Sequence, residues 1–223
     1  MATKIIVSYD GSDNDRDALA LGRLLGSAGA SIELAYVRHA LEAEKGRERF
    51  AESEAEALLK AGATALGQPD IPCHVAMSAS TSEGLRDLAL REGADMIVFG
   101  SEYRTAIGHV DPQASARRLM DGGPVALALA PAAFAERTDF AVRTIGAIGD
   151  DGDPTAEETA ETLSSRFKAA ISVRPGNDAD LLIVGSKPGG VTGRVTVSAA
   201  VEYVIELAAC PVIVLRRGVA LSF

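Results

Sequence analysis

Three short stretches of the 223-residue chain have residue types and spacing suited to holding a nucleotide or another anion. Asp10-Gly11-Ser12 puts a carboxylate at a turn, where it can accept bonds from a ligand hydroxyl or satisfy its own backbone. Asp151-Gly152 repeats the arrangement. The run SKPGGVTGR, from Ser186 to Arg194, gathers Gly189, Gly190 and Gly193 with Lys187 and Arg194. Glycines let backbone N–H groups approach phosphate oxygens, and a following helix N-terminus adds positive potential. Ser198 offers a hydroxyl at that helix start, as a phosphate contact or as an ordinary N-terminal residue. Gly185 and Gly190 have the spacing of a phosphate loop, but Val191-Thr192 lacks its lysine.

Other chemistries find little support. His39, His74 and His109 have no Cys or carboxylate at ligand spacing, so no metal site is expected. Cys210 before Pro211 reads as packed at a strand start rather than as a nucleophile. The sequence shows no Ser-His-Asp arrangement, no G-x-S-x-G elbow and no G-x-G-x-x-G fingerprint. A formal charge of −9 argues against nucleic-acid partners and anionic membrane surfaces. No apolar run reaches the ~18 residues of a bilayer span. MATKIIVSYDGS meets an acidic turn too soon for a signal peptide, and two cysteines suit a reducing compartment, so a cytoplasmic location is expected.

The elements that must position these residues alternate. Ile5–Tyr9 reads as a buried strand, with Asp13, Asn14 and Asp15 opening a helix whose Ala18, Leu21, Leu24 and Leu25 share a face. Ser31–Val37 is a second strand, Arg38–Leu66 one long solvated helix, and Pro69–Met77 holds a third strand. Ser82–Arg91 is a capped helix, Ala94–Ser101 a fourth strand, Gln113–Met120 a helix and Pro124–Leu129 a fifth strand. This order predicts a doubly wound parallel α/β sheet.

The pattern then restarts. Thr144–Gly152 (TIGAIGDDG) copies the first strand and turn, so that Asp151-Gly152 corresponds to Asp10-Gly11, and Glu157–Phe167 supplies a helix. ADLLIVGS (179–186) matches ADMIVFGS (94–101), and Cys210–Leu215 reads as the counterpart of Gly123–Leu129. The second copy has room for one strand at Ala170–Val173, but not for a further helix, strand and helix. The expected domains are 1–131 and a shortened 142–223, joined by a linker at 132–141. Alanine-rich, tryptophan-free composition fits helices lying close on the sheet.

VSYDGS at 7–12, the paired ADMIVFGS and ADLLIVGS strands, and the closing GPVALALAP and CPVIVLRRG together resemble a tandem universal stress protein. The resemblance implies the adenine-nucleotide-hydrolase-like fold, a sheet in the order 3-2-1-4-5, and a last strand paired antiparallel with that of a second copy. It also implies ATP or AMP binding, with no metal beyond nucleotide-associated magnesium. Ribose and adenine would be held at Asp10 and Val37, the latter through its backbone. Phosphate would be held by a G-x-x-G-x9-G-[ST] loop opening at Gly100. That loop is eroded twice. Tyr103 and Pro112-Gln113 replace its later glycines and serine in the first half, and Pro188 and Ser198-Ala199 stand in the second after Gly185. In the second half Asp151 persists, with Val173 as the counterpart of Val37.

The reading is therefore a non-enzymatic stress-response protein with a degenerate adenine-nucleotide crevice, binding weakly or in one half, and forming a homodimer besides pairing its two copies. The alternative is a nucleotide-free scaffold assembled through the last strands. Hydrolysis of ATP would need more than Lys187 and Arg194 to neutralise the phosphates.

Overall fold

The structure, a computed structural model, describes residues 2–39, 45–149, 152–172 and 179–223. In chain order the elements are β1 (Lys4–Ser8), α1 (Asp13–Ser27), β2 (Ser31–His39), α2 (Lys45–Leu66), β3 (Cys73–Ser78), α3 (Thr81–Glu92), β4 (Met96–Phe99), α4 (Ala114–Met120) and β5 (Ala126–Leu129). The second series is β6 (Thr144–Ile148), α5 (Thr155–Phe167), β7 (Ala170–Ser172), β8 (Leu181–Val184), α6 (Ala199–Leu207) and β9 (Val212–Val214).

Local signals fix the helix ends. Ser12 is extended at the N-cap of α1, and Asp13 and Asp15 occupy its first turn, where carboxylates face the positive end of the helix dipole. Ser80 Oγ accepts from Glu83 N at 3.3 Å to start α3, and Gly93 in the left-handed region ends it.

The nine strands of the described residues form one sheet in the order β3-β2-β1-β4-β5-β9-β8-β6-β7. The first half is a parallel 3-2-1-4-5 sheet. The second is its mirror along the sheet with one strand missing. The halves meet where β5 pairs antiparallel with β9, Ala128 opposite Ile213. Between β7 and β8 lie only residues 173–180, so the second half lacks counterparts of α2, β3 and α3.

Two apolar layers sandwich this sheet, and strand alternation sorts side chains between them. Ile5, Val7, Ala126 and Ala128 face α1, α2 and α5 through Leu21, Leu25, Leu59 and Leu163. Ile6, Leu127 and Leu129 face α3, α4 and α6 through Leu85, Leu88, Leu119 and Ile205. Each layer contains residues of both halves, so neither half owns a separate core. Truncating a fully buried Leu such as Leu25 should cost about 2–5 kcal/mol.

The connector expected as a linker at 132–141 packs against α1. The buried Asp17 carboxylate accepts from Ala133 N (2.9 Å) and Ala135 N (2.8 Å), and Phe134 is buried with Phe140 edge-on at 4.9 Å. The C-terminal tail behaves alike: Ser222 O accepts from Thr3 N (2.8 Å), and Phe223 O from Arg166 Nε (2.6 Å). No helix of the described residues is long and apolar enough to cross a membrane.

Candidate functional site

A crevice of about 580 Å³ opens at the carboxyl ends of β1 and β2, where open α/β sheets place ligands. Asp10, Gly11 and Ser12 come from the β1–α1 turn, Asp15 from the first turn of α1, Ala35, Val37 and His39 from β2, Thr81 from the start of α3, and Gln113 and Ser115 from the start of α4. The structure therefore brings Asp10 and Val37 to one cavity. The Val37 side chain is buried in the core beneath α3.

Asp10 sits exposed at the rim, its Oδ1 accepting from Ser12 N at 2.9 Å. Partial burial works against its charge, but hydrogen bonds from Asp15 and Ser12 outweigh that and hold its carboxyl below the ordinary range. Asp15 is the residue that sequence reasoning passed over as a helix-start carboxylate. It is only 4% exposed, and its Oδ2 accepts from both Asp10 N and Gly11 N, the latter at 2.9 Å. Burial, with the ionised Asp10 beside it, pushes the Asp15 carboxyl up to about 8 despite those two donors.

The loop after β4 is closed by one hydroxyl. Ser101 Oγ donates its one proton to Ala130 O (2.7 Å), with His109 O farther off at 3.4 Å, and accepts from Asp111 N (3.2 Å). Ser186 repeats this with Leu215 O (2.8 Å), Arg194 O (3.2 Å) and Thr196 N (3.0 Å). The partners stand 29, 8 and 10 residues away in both halves. This equivalence matches Gly108 with Gly193, whose N–H groups donate to Ala132 O and Arg217 O at 2.8 Å each. It also revises the repeat. Ile97 lies opposite Leu127, and Leu182 opposite Val212, so Cys210 corresponds to Val125 rather than Gly123. The prolines at 124 and 211 do not correspond.

The other candidates fall elsewhere. A Cβ at Gly100 would strike the Asn14 carbonyl oxygen, so this glycine lets the start of α1 approach the end of β4. Gly185 occupies the equivalent strand end. In the second loop Gly190 N donates to Lys187 O (3.2 Å) and Arg194 N to Val191 O (3.1 Å), while Gly189 and Gly193 turn the chain at positive φ. Ser198 Oγ accepts from Val201 N at 3.3 Å as the N-cap of α6. Arg194 lines a second crevice, about 260 Å³, with Arg86 and Arg118. Tyr103 is exposed beneath Arg104, and Pro112 forms an antiparallel bridge to Ser101. Asp151 and Val173 lie outside the described residues. Counted along β6, where Ile145 takes the place of Ile5, the position equivalent to Asp10 is residue 150, also outside them.

One polar cluster was invisible in the sequence because its members sit on separate elements. Glu33, His74 and Glu92 bring ligand-type atoms within 4.8 Å of one another. Glu33 meets His74 Nε2 and Lys4 Nζ at 2.9 Å each, and Lys4 Nζ also donates to Glu92 O. An ammonium group already neutralises the carboxylate, so the grouping is an ion-pair network across the amino ends of β1 and β2. Burial pushes the Cys210 thiol up to about 11.

Residues 1–110 match the family described as Universal stress protein family. A universal stress protein from Archaeoglobus fulgidus DSM 4304 superposes with a TM-score of 0.70 at 14% identity, over 96% of this chain and 98% of its own. A functionally unknown protein from Pseudomonas aeruginosa PAO1 superposes with a TM-score of 0.64 at 13% identity, over 97% and 93%. At such identities the likeness is one of fold. No curated protein matches the chain. The first 110 residues thus carry the pattern of the universal stress protein family, and the chain shares the fold of the Archaeoglobus protein along its length.

Proposed function

We propose that the protein is a non-enzymatic regulator whose adenine-nucleotide crevice is confined to the first half and built only on its base and ribose side. The observation that carries this reading is the meeting of Asp10 and Val37 in one crevice. The expected phosphate loops, by contrast, are closed by Ser101 and Ser186. Calorimetric titration with ATP and AMP tests it: weak binding is expected, and no heat at high micromolar nucleotide rules it out. Phosphate release should stay at background in wild type and in Arg194→Ala alike, with or without magnesium.

The scaffold reading draws on a different observation, the Asp15 carboxyl group seated on the two N–H groups that line the crevice. It predicts that protein purified without added ligand carries no adenine compound by absorbance or mass spectrometry and takes none up. Association into a homodimer also belongs to the proposal. Because β9 already covers β5, a second chain would use another surface, such as the open edge of β7 with Ile171 exposed. A single monomeric species in sedimentation equilibrium at high micromolar concentration would contradict it.

A further inference from the structure

We propose that the crevice lined by Arg86, Arg118 and Arg194, where the two copies meet, binds a phosphate-type oxyanion. Two helices of the first copy and one loop of the second build it. Arg86 stands four residues after Ser82, on the same side of α3. Arg118 lies in the last turn of α4, just ahead of the Asp121-Gly122-Gly123 turn. Arg194 is carried in by the backbone: Gly122 N donates to Val195 O (2.7 Å) and Val195 N to Gly123 O (2.8 Å), which fixes residue 194 beside that turn. Its Nη1 reaches Gly122 O at 3.4 Å. The three side chains border one volume of about 260 Å³, small enough for their charges to act together, since salt screens exposed charges only over ~8–10 Å.

The chain's net charge is −9, yet these guanidinium groups keep most of their donors free. Arg118 makes no hydrogen bond or ion pair among the described residues. Arg86 gives only its Nε, to Asp87 Oδ1 at 2.9 Å, and Arg194 only its long contact with Gly122 O. Glu83 and Asp121 also line the crevice, but among the described residues neither forms an ion pair with any of the three arginines. Glu83 lies in the first turn of α3, where the helix dipole already favours its charge. Three like charges around one small volume repel one another. A planar guanidinium also presents paired N–H donors that match the oxygens of a phosphate. An oxyanion between them relieves the repulsion and uses those donors. The turn's own N–H groups are taken, Gly122 N by Val195 O and Gly123 N by Leu119 O, so the side chains carry the recognition. The volume falls just below the ~300–1,000 Å³ of small-molecule sites, which suits a single phosphate group. Because its donors come from both copies, the bound ion would tie α3 and α4 to the second loop.

The test is amide chemical-shift mapping of the labelled full chain, titrated near neutral pH with sodium phosphate at constant ionic strength, with sodium chloride as the reference. Saturable shifts are expected at Arg86, Gly122, Gly123 and Arg194 with phosphate and not with chloride. Glycerol 3-phosphate in a parallel titration separates the sources: shifts at the same amides assign the site to a phosphoryl group on a larger molecule, and their absence to the free ion. Arg118→Gln removes no bond of the folded chain and should weaken phosphate binding about tenfold or more. Arg86→Gln should do likewise, whereas Arg91→Gln, on the same helix but outside the crevice, should leave it unchanged. Phosphate should also raise the urea midpoint of wild type more than that of Arg118→Gln. Shifts that do not saturate, or equal phosphate binding by Arg118→Gln and wild type, would overturn the proposal. A loss in Arg91→Gln as large as that in Arg118→Gln would do the same. Any heat that ATP or AMP retains in Arg118→Gln belongs to the separate crevice at β1 and β2, so the two readings fail independently.

Discussion

At the scale of single residues, Asp15 governs the site. Its carboxyl rises from an ordinary 3.8 to about 8 on folding, chiefly through burial. A raised folded-state value means that its contribution to stability is complete below about pH 4 and is lost as pH climbs through about 8. Asp15→Asn keeps an oxygen for Asp10 N and Gly11 N but has no proton to lose. The variant should match wild type near pH 4 and exceed it by roughly 2–4 kcal/mol near pH 8. Urea melts across that range check this, and parallel pH profiles would contradict it. Asp10 was legible as a turn carboxylate because Asp-Gly-Ser declares itself locally. Asp15 was not, because a carboxylate in the first turn of a helix reads as solvated, and its burial shows only in the folded chain. The Glu33–His74 pair was hidden because its members sit on separate strands.

At the scale of elements, apolar runs and helical spacing disclosed the strands and most of the helices, but the single helix expected over Arg38–Leu66 is overturned at its start, because β2 keeps its pairing with β3 as far as His39 and α2 is Lys45–Leu66. Cysteine and proline before an apolar run misled the repeat alignment. Pro124 and Pro211 look equivalent, yet ladder register sets Val125 against Cys210. The glycine-rich run from Gly189 to Gly193 was legible as a turn-forming segment but not as a closed one, since closure rests on the Ser186 hydroxyl reaching a carbonyl 29 residues away. That hydroxyl and its counterpart on Ser101 should therefore matter alike. Ser101→Ala and Ser186→Ala should each cost about 1–3 kcal/mol by leaving buried groups unpaired. Chemical denaturation of the two variants checks this; a silent substitution at either serine would show that loop to be held by something else.

At the scale of the whole molecule, one sheet and two shared layers join a complete copy to a trimmed one. The shortened half has no private core: Leu163 and Ile205 pack in clusters that include Leu25 and Leu127, and β9 needs β5. Residues 141–223 expressed alone should therefore be insoluble or unfolded by circular dichroism, and a stable, soluble fragment would contradict the shared core. The same architecture directs nucleoside chemistry to one end of one half. The central claim is thus a matter of location, and amide chemical-shift mapping of the labelled full chain titrated with adenosine tests it most directly. The account predicts shifts at Asp10, Gly11, Val37 and Thr81 with none at Gly189–Arg194; shifts centred on the glycine loop, or none in either half, would contradict it.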